Sequence, residues 1–89
     1  MNFSKHAAVR LQQRCIPPFV VDLLMDFGAV ERVGDGATSH YFDKKSRSRI
    51  KTYTGQLSCA LKEYLDFYAI VGSDGVVITI ARRLKKIHH

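Results

Sequence analysis

Leu65-Asp-Phe-Tyr-Ala-Ile-Val71, then Gly72-Ser-Asp-Gly75, then Val76-Val-Ile-Thr-Ile-Ala81 is the stretch on which the fold turns. Two β-branched, apolar runs flank four turn-forming residues, the pattern of two antiparallel strands joined by a tight connection. Both runs are apolar at successive positions and not only at alternate ones. That reads as a pair of central strands in a sheet covered by helices.

Working back from this pair, Ala29 to Val33 and Thr38 to Phe42 are shorter strand-forming runs around Gly34-Asp35-Gly36, a second hairpin. Upstream, Val20, Leu23, Leu24 and Phe27 fall at i, i+3, i+4 and i+7, a helix stopped by Gly28. Asp22 and Asp26 take its outward side. Ile16-Pro17-Pro18 separates it from an earlier helix over Ser4 to Arg14, with Ser4 as N-cap. In that first helix Ala8, Leu11 and Cys15 read as the apolar stripe, while His6, Arg10 and Arg14 rise at i, i+4 and i+8 on another side.

Asp43 to Tyr53 is less decided. Lys44, Lys45, Arg47, Arg49 and Lys51 dominate it, and only Ile50 and Tyr53 are there to bury. Asp43 as N-cap and Gly55 as stop favour a helix; the alternation Ser46-Arg47-Ser48-Arg49 fits a solvated strand as well. Leu57, Ala60, Leu61 and Tyr64 allow one or two further helical turns. The expected class is α+β: two N-terminal helices packed on a four-stranded antiparallel sheet, with an extra helix between strands 2 and 3.

Eighty-nine residues make one domain, 1–89. A net charge of +6 on so short a chain favours a polyanionic partner: nucleic acid, an anionic membrane surface or an acidic protein. Two cysteines make no disulfide framework and show no zinc spacing, so Cys15 and Cys59 read as small buried hydrophobes and no metal or other cofactor is expected. The eight acidic residues are scattered, which disfavours a two-metal nuclease centre. No secretory or membrane-length apolar run is present, so a cytoplasmic protein without a membrane partner is expected. His88 and His89 carry no weight in this reading.

Three groups are candidates for chemistry. His6, Arg10 and Arg14 place an imidazole and two guanidiniums on one helix side without an acidic neighbour, a means of gripping phosphate beside a titratable group. Thr79 interrupts an aliphatic strand just before Arg82, Arg83, Lys85 and Lys86. In an ideal strand Arg83 shares its phase and Arg82 does not. Lys44, Lys45, Arg47, Arg49 and Lys51, with Tyr41 and Tyr53 nearby, form a backbone-tracking patch with rings for base stacking.

Ser4-Lys-His-Ala-x-x-Arg-x-x-x-Arg14, Ile16, the helix ending at Phe27-Gly28, and Asp74-Gly75-Val-Val-Ile-Thr79-Ile-Ala-Arg82-Arg83 resemble a family of small bacterial proteins, a domain of unknown function similar to the RelE-like toxins. The wider group, named after barnase, EndoU, colicin ribonucleases and RelE, has two N-terminal helices on a four-stranded antiparallel sheet. Many of its members are metal-independent endoribonucleases. The resemblance implies a toxin domain that binds RNA in preference to DNA, partnered by an acidic antitoxin-like protein. It assigns His6, Arg10 and Thr79 to the catalytic site, with Arg14 on the phosphate; Arg83, or Arg82 in its place, is expected to act there beside Thr79. In the expected reaction the ribose 2′-hydroxyl attacks the adjacent phosphate, with His6 moving the proton. The alternatives are a non-catalytic basic nucleic-acid-binding module and a subunit docking an acidic protein.

Overall fold

A computed structural model describes residues 2–82. Helices α1 (Lys5–Gln13) and α2 (Pro18–Phe27) precede a hairpin of β1 (Ala29–Gly34) and β2 (Ala37–Tyr41). Helix α3 (Lys44–Thr54), a short α4 (Leu57–Leu61) and a 3-10 turn (Lys62–Tyr64) lead into the second hairpin, β3 (Phe67–Val71) and β4 (Val77–Arg82). The sheet is antiparallel in the order β1-β2-β3-β4. This is the expected α+β architecture, and the undecided basic segment is a helix. No helix among the described residues is long and apolar enough to cross a membrane.

Side-chain hydroxyls and carboxylates start the helices as the sequence indicates. The Ser4 hydroxyl accepts from the Ala7 amide at 3.0 Å and donates to the Ile78 carbonyl at 2.7 Å, so one residue caps α1 and ties it to β4. Asp43 Oδ1 accepts from both the amide (2.8 Å) and the hydroxyl (2.6 Å) of Ser46. These bonds hold the Asp43 carboxyl below its usual range, the side-chain bond most strongly. The α1 C-terminus closes with Cys15 N–H on Gln12 and Ile16 N–H on Leu11, with Cys15 at φ 54. Ile16 then packs with Leu11 in the core, as in a Schellman closure. The first hairpin turns on Asp35 (φ 52) and Gly36 (φ 77), both left-handed, as a two-residue I′ turn requires.

The core lies on one face of the sheet. Ala7, Leu11, Val20, Val21, Leu24, Ile50 and Leu61 from the helical layer meet Ala69, Val77 and Ile80 from the strands. Strand pairing sets Ala69 opposite Ile80 and Ile70 opposite Thr79. Since neighbours along a strand alternate, Tyr68, Ile70, Thr79 and Ala81 share the other face, and none of them is buried.

Four expectations need correction. The buried side of α1 is Ala7 and Leu11, whereas Ala8 is exposed. Both cysteines are exposed: Cys15 is turned out at the left-handed position that closes α1, and Cys59 lies on α4. Strand β4 is an edge strand and not a central one. Its free edge is partly covered by the N-terminus, where Ser4 N–H donates to Val77 O (2.8 Å) and Val77 N–H to Asn2 O (2.9 Å). Finally, the helices cover one face of the sheet, so the second apolar face of β3 and β4 is half-exposed.

Candidate nucleic-acid interface

Helix α1 begins at Val77–Ile78, where Ser4 anchors it, and runs along β4 toward Arg82. A bulge at Ile78, between the Ile70–Thr79 and Val71–Val77 pairs, lets both Val77 and Ile80 face the helices. Arg82 keeps the phase of Ile80 and stands opposite Phe67. Arg14, the C-cap of α1, arrives at the same end. Together Arg14, Cys15, Glu63, Tyr64, Phe67 and Arg82 line a cleft of about 350 Å³.

Within that cleft Arg14, Arg82 and Glu63 are exposed, and none of their side chains makes a hydrogen bond or ion pair among the described residues. Two guanidiniums lining one concavity, neither ion-paired to the Glu63 carboxylate there, form an anion site with one net positive charge, and their planar forks suit phosphate oxygens. Tyr64 and Phe67 supply aromatic walls, and Glu63 and the Tyr64 hydroxyl supply groups that can exchange a proton.

The sequence-derived candidates are thus divided. Arg14 and Arg82 meet. His6, two turns before Arg14 or about 12 Å along the helix axis, sits at the opposite end of α1 and is exposed. Arg10 lies between them, partly exposed. Thr79 is on the sheet face away from α1, so the expected convergence of His6, Arg10 and Thr79 is not formed. The alternation that puts Arg82 beside Arg14 is the same one that turns Thr79 away. Arg83, Lys85 and Lys86 lie outside the described residues.

In the basic helix, Lys44, Lys45, Arg49 and Lys51 are exposed, but Arg47 is half-buried and bonded within the fold. Its Nε donates to Phe42 O at 3.3 Å, and one terminal nitrogen donates to Leu65 O and to Asp66 Oδ1, both at 3.0 Å. Arg47 therefore staples the start of α3 to the lead-in of β3. Its role as a nucleic-acid contact gives way to a structural one, because three of its five N–H donors are already engaged within the fold.

The sequence reading missed Glu63, Tyr64, Cys15 and Phe67. Only their apposition across the fold marks them, and Glu63 and Tyr64 fall in a segment with weak periodicity. It also passed over His40, whose Nε2 lies 2.9 Å from Thr38 Oγ1 and whose buried Nδ1 has no partner. Burial pushes its imidazole below the usual histidine range. Among the described residues no group of three or more His, Cys, Asp and Glu side chains could hold a metal ion. No family model, curated protein or solved structure matches this chain.

Proposed function

We propose that this domain binds single-stranded RNA, with a backbone phosphate seated between Arg14 and Arg82. The observation carrying this reading is that the fold brings two unpaired arginines from opposite ends of the chain into one aromatic-walled cleft, on a protein of net charge +6. A cleft of about 350 Å³ is of a size to take one splayed nucleotide. Unstacked bases on aromatic walls are how single-stranded RNA is ordinarily held.

Binding is tested with a labelled six-nucleotide RNA in chelator, titrated at several salt concentrations. The double variant Arg14→Ala/Arg82→Ala should bind at least tenfold more weakly. Its salt slope should fall by about 0.7, the contribution of the one phosphate neutralised on a single strand. An exposed control, Lys5→Ala, should change little. A double variant with the parent's affinity and slope overturns the reading.

One feature favours cleavage as a second reading: Glu63 shares the cleft with both arginines. Its carboxylate would accept the 2′-hydroxyl proton, the arginines would neutralise the phosphate, and the Tyr64 hydroxyl would protonate the leaving 5′-oxygen. This assigns to Glu63 the role first expected of His6, as in a RelE-like toxin domain with a different proton acceptor. Under this reading Glu63→Gln binds RNA but does not cut it, while His6→Ala cuts like the parent.

A further inference from the structure

Helix α3 has an outward side that the cleft does not use. Lys45, Ser48, Arg49, Thr52 and Tyr53 recur at i, i+3, i+4, i+7 and i+8 and so share one face. Phe27, from the end of α2, joins Ser48, Arg49, Thr52 and Tyr53 around a shallow groove of about 310 Å³. Tyr53 is 71% exposed, the most exposed large apolar side chain among the described residues. Its ring is nonetheless fixed, tilted against Phe27 with centroids 5.0 Å apart. Arg49 is placed in the same way, its guanidinium carbon 5.4 Å from the centre of the Phe27 ring.

An exposed tyrosine held in place loses little freedom when a flat ligand stacks on it. The surrounding charge is one-sided. No acidic residue lies within α3, and Arg47, on another side of the helix, is its one cation in an ion pair among the described residues. Arg49 stands one turn before the ring and Lys45 one turn further along the same face, with the Ser48 hydroxyl between them, all suited to phosphate oxygens.

We infer that this face is a second subsite for single-stranded RNA, in which a base stacks on Tyr53 while the flanking phosphates meet Arg49 and Lys45. The inference rests on the RNA-binding reading and extends it from one nucleotide to a longer strand. The two subsites are mechanically joined: Glu63 and Tyr64 wall the cleft, and the next two residues, Leu65 and Asp66, hold Arg47 of α3. A flat, exposed ring at the end of a row of cations fits a nucleobase better than an aliphatic side chain of an acidic peptide, which needs a deeper socket.

The chain has no tryptophan, so Tyr53→Trp installs a single fluorophore on this face. Titration with a twelve-nucleotide oligouridylate should quench it, and a trinucleotide that fills only the cleft should not. Tyr53→Ala should weaken the twelve-nucleotide RNA about 5- to 150-fold, the range for one stacked base. Tyr53→Phe should retain binding. Lys45→Ala/Arg49→Ala should lower the salt slope for the long RNA and leave trinucleotide binding unchanged. Parent-like affinity for the long RNA in Tyr53→Ala and Lys45→Ala/Arg49→Ala overturns the second subsite while the cleft stands. A parent protein that binds neither RNA removes both readings. Quenching by polyglutamate but not by oligouridylate assigns the face to an acidic protein and also overturns the inference.

Discussion

Replacing Ile50 with alanine is expected to destabilise the domain by about 2–5 kcal/mol, the range for truncating a fully buried branched side chain. Ile50 is 1% exposed and, with Val77, is the largest side chain fully enclosed in the core. The effect should lie toward the upper end for a reason local to α3. That helix buries only Ser46 and Ile50, and Ser46 is held by its cap. Without the isoleucine, one helix of strongly polar composition has no apolar anchor left. Urea denaturation should therefore show a lower midpoint, and amide exchange should speed up in α3 before the strands. For a domain whose total stability is of the order of 5–15 kcal/mol, such a loss leaves little reserve. A change below about 1 kcal/mol would mean that α3 is not seated on the core as described.

Gly28→Ala is expected to cost about 3 kcal/mol, near the top of the usual range for overpacking. The residue ends α2 at φ −70 and ψ 160, extended backbone that any residue adopts, so conformational freedom is not the reason for glycine here. The reason is space. A Cβ would run into the Leu24 carbonyl oxygen, and it would come within 2.9 Å of Leu24 Cδ1 and 3.0 Å of the Tyr41 carbonyl oxygen. Two of these three obstacles are backbone, one in the last turn of α2 and one in β2, so relief requires the end of α2 both to unwind and to move away from β2. Gly34 provides the comparison: its φ is +105 but a Cβ there meets nothing within 4 Å. Thermal unfolding should show Gly28→Ala as the larger loss; the reverse order would refute the close approach of α2 and β2.

The elements were legible where local chemistry fixes them. Ser4 and Asp43 cap the helices they precede, Asp35-Gly36 makes the turn its composition demands, and Ile50 gives the basic segment just enough to bury as a helix. What local pattern could not supply was tertiary placement. Whether Ala7 or Ala8 faces inward depends on how Ser4 hooks α1 to Ile78. The way Asn2 and Ser4 bond to Val77, across almost the whole length of the chain, leaves β4 as an edge with its rim partly covered. The Ile78 bulge, invisible in an unbroken aliphatic run, decides that Arg82 and not Thr79 joins the helix side. Arg47 looked like its basic neighbours because nothing in the local sequence reveals that Leu65 and Asp66 fold back against it. The cleft itself was half legible: both arginines were singled out, but Glu63 and Tyr64 reach them only through the return of the chain into β3.

Cys15 and Cys59 are both exposed, yet only Cys15 lines the cleft with Arg14 and Arg82. This permits a direct measurement on the unmodified protein: the rate of alkylation of each thiol, followed by mass spectrometry, with and without a six-nucleotide RNA. Bound RNA should slow modification of Cys15 several-fold and leave Cys59 unchanged, and the protection should vanish in Arg14→Ala/Arg82→Ala. Equal rates at Cys15 with and without saturating RNA would contradict a ligand seated between the two arginines.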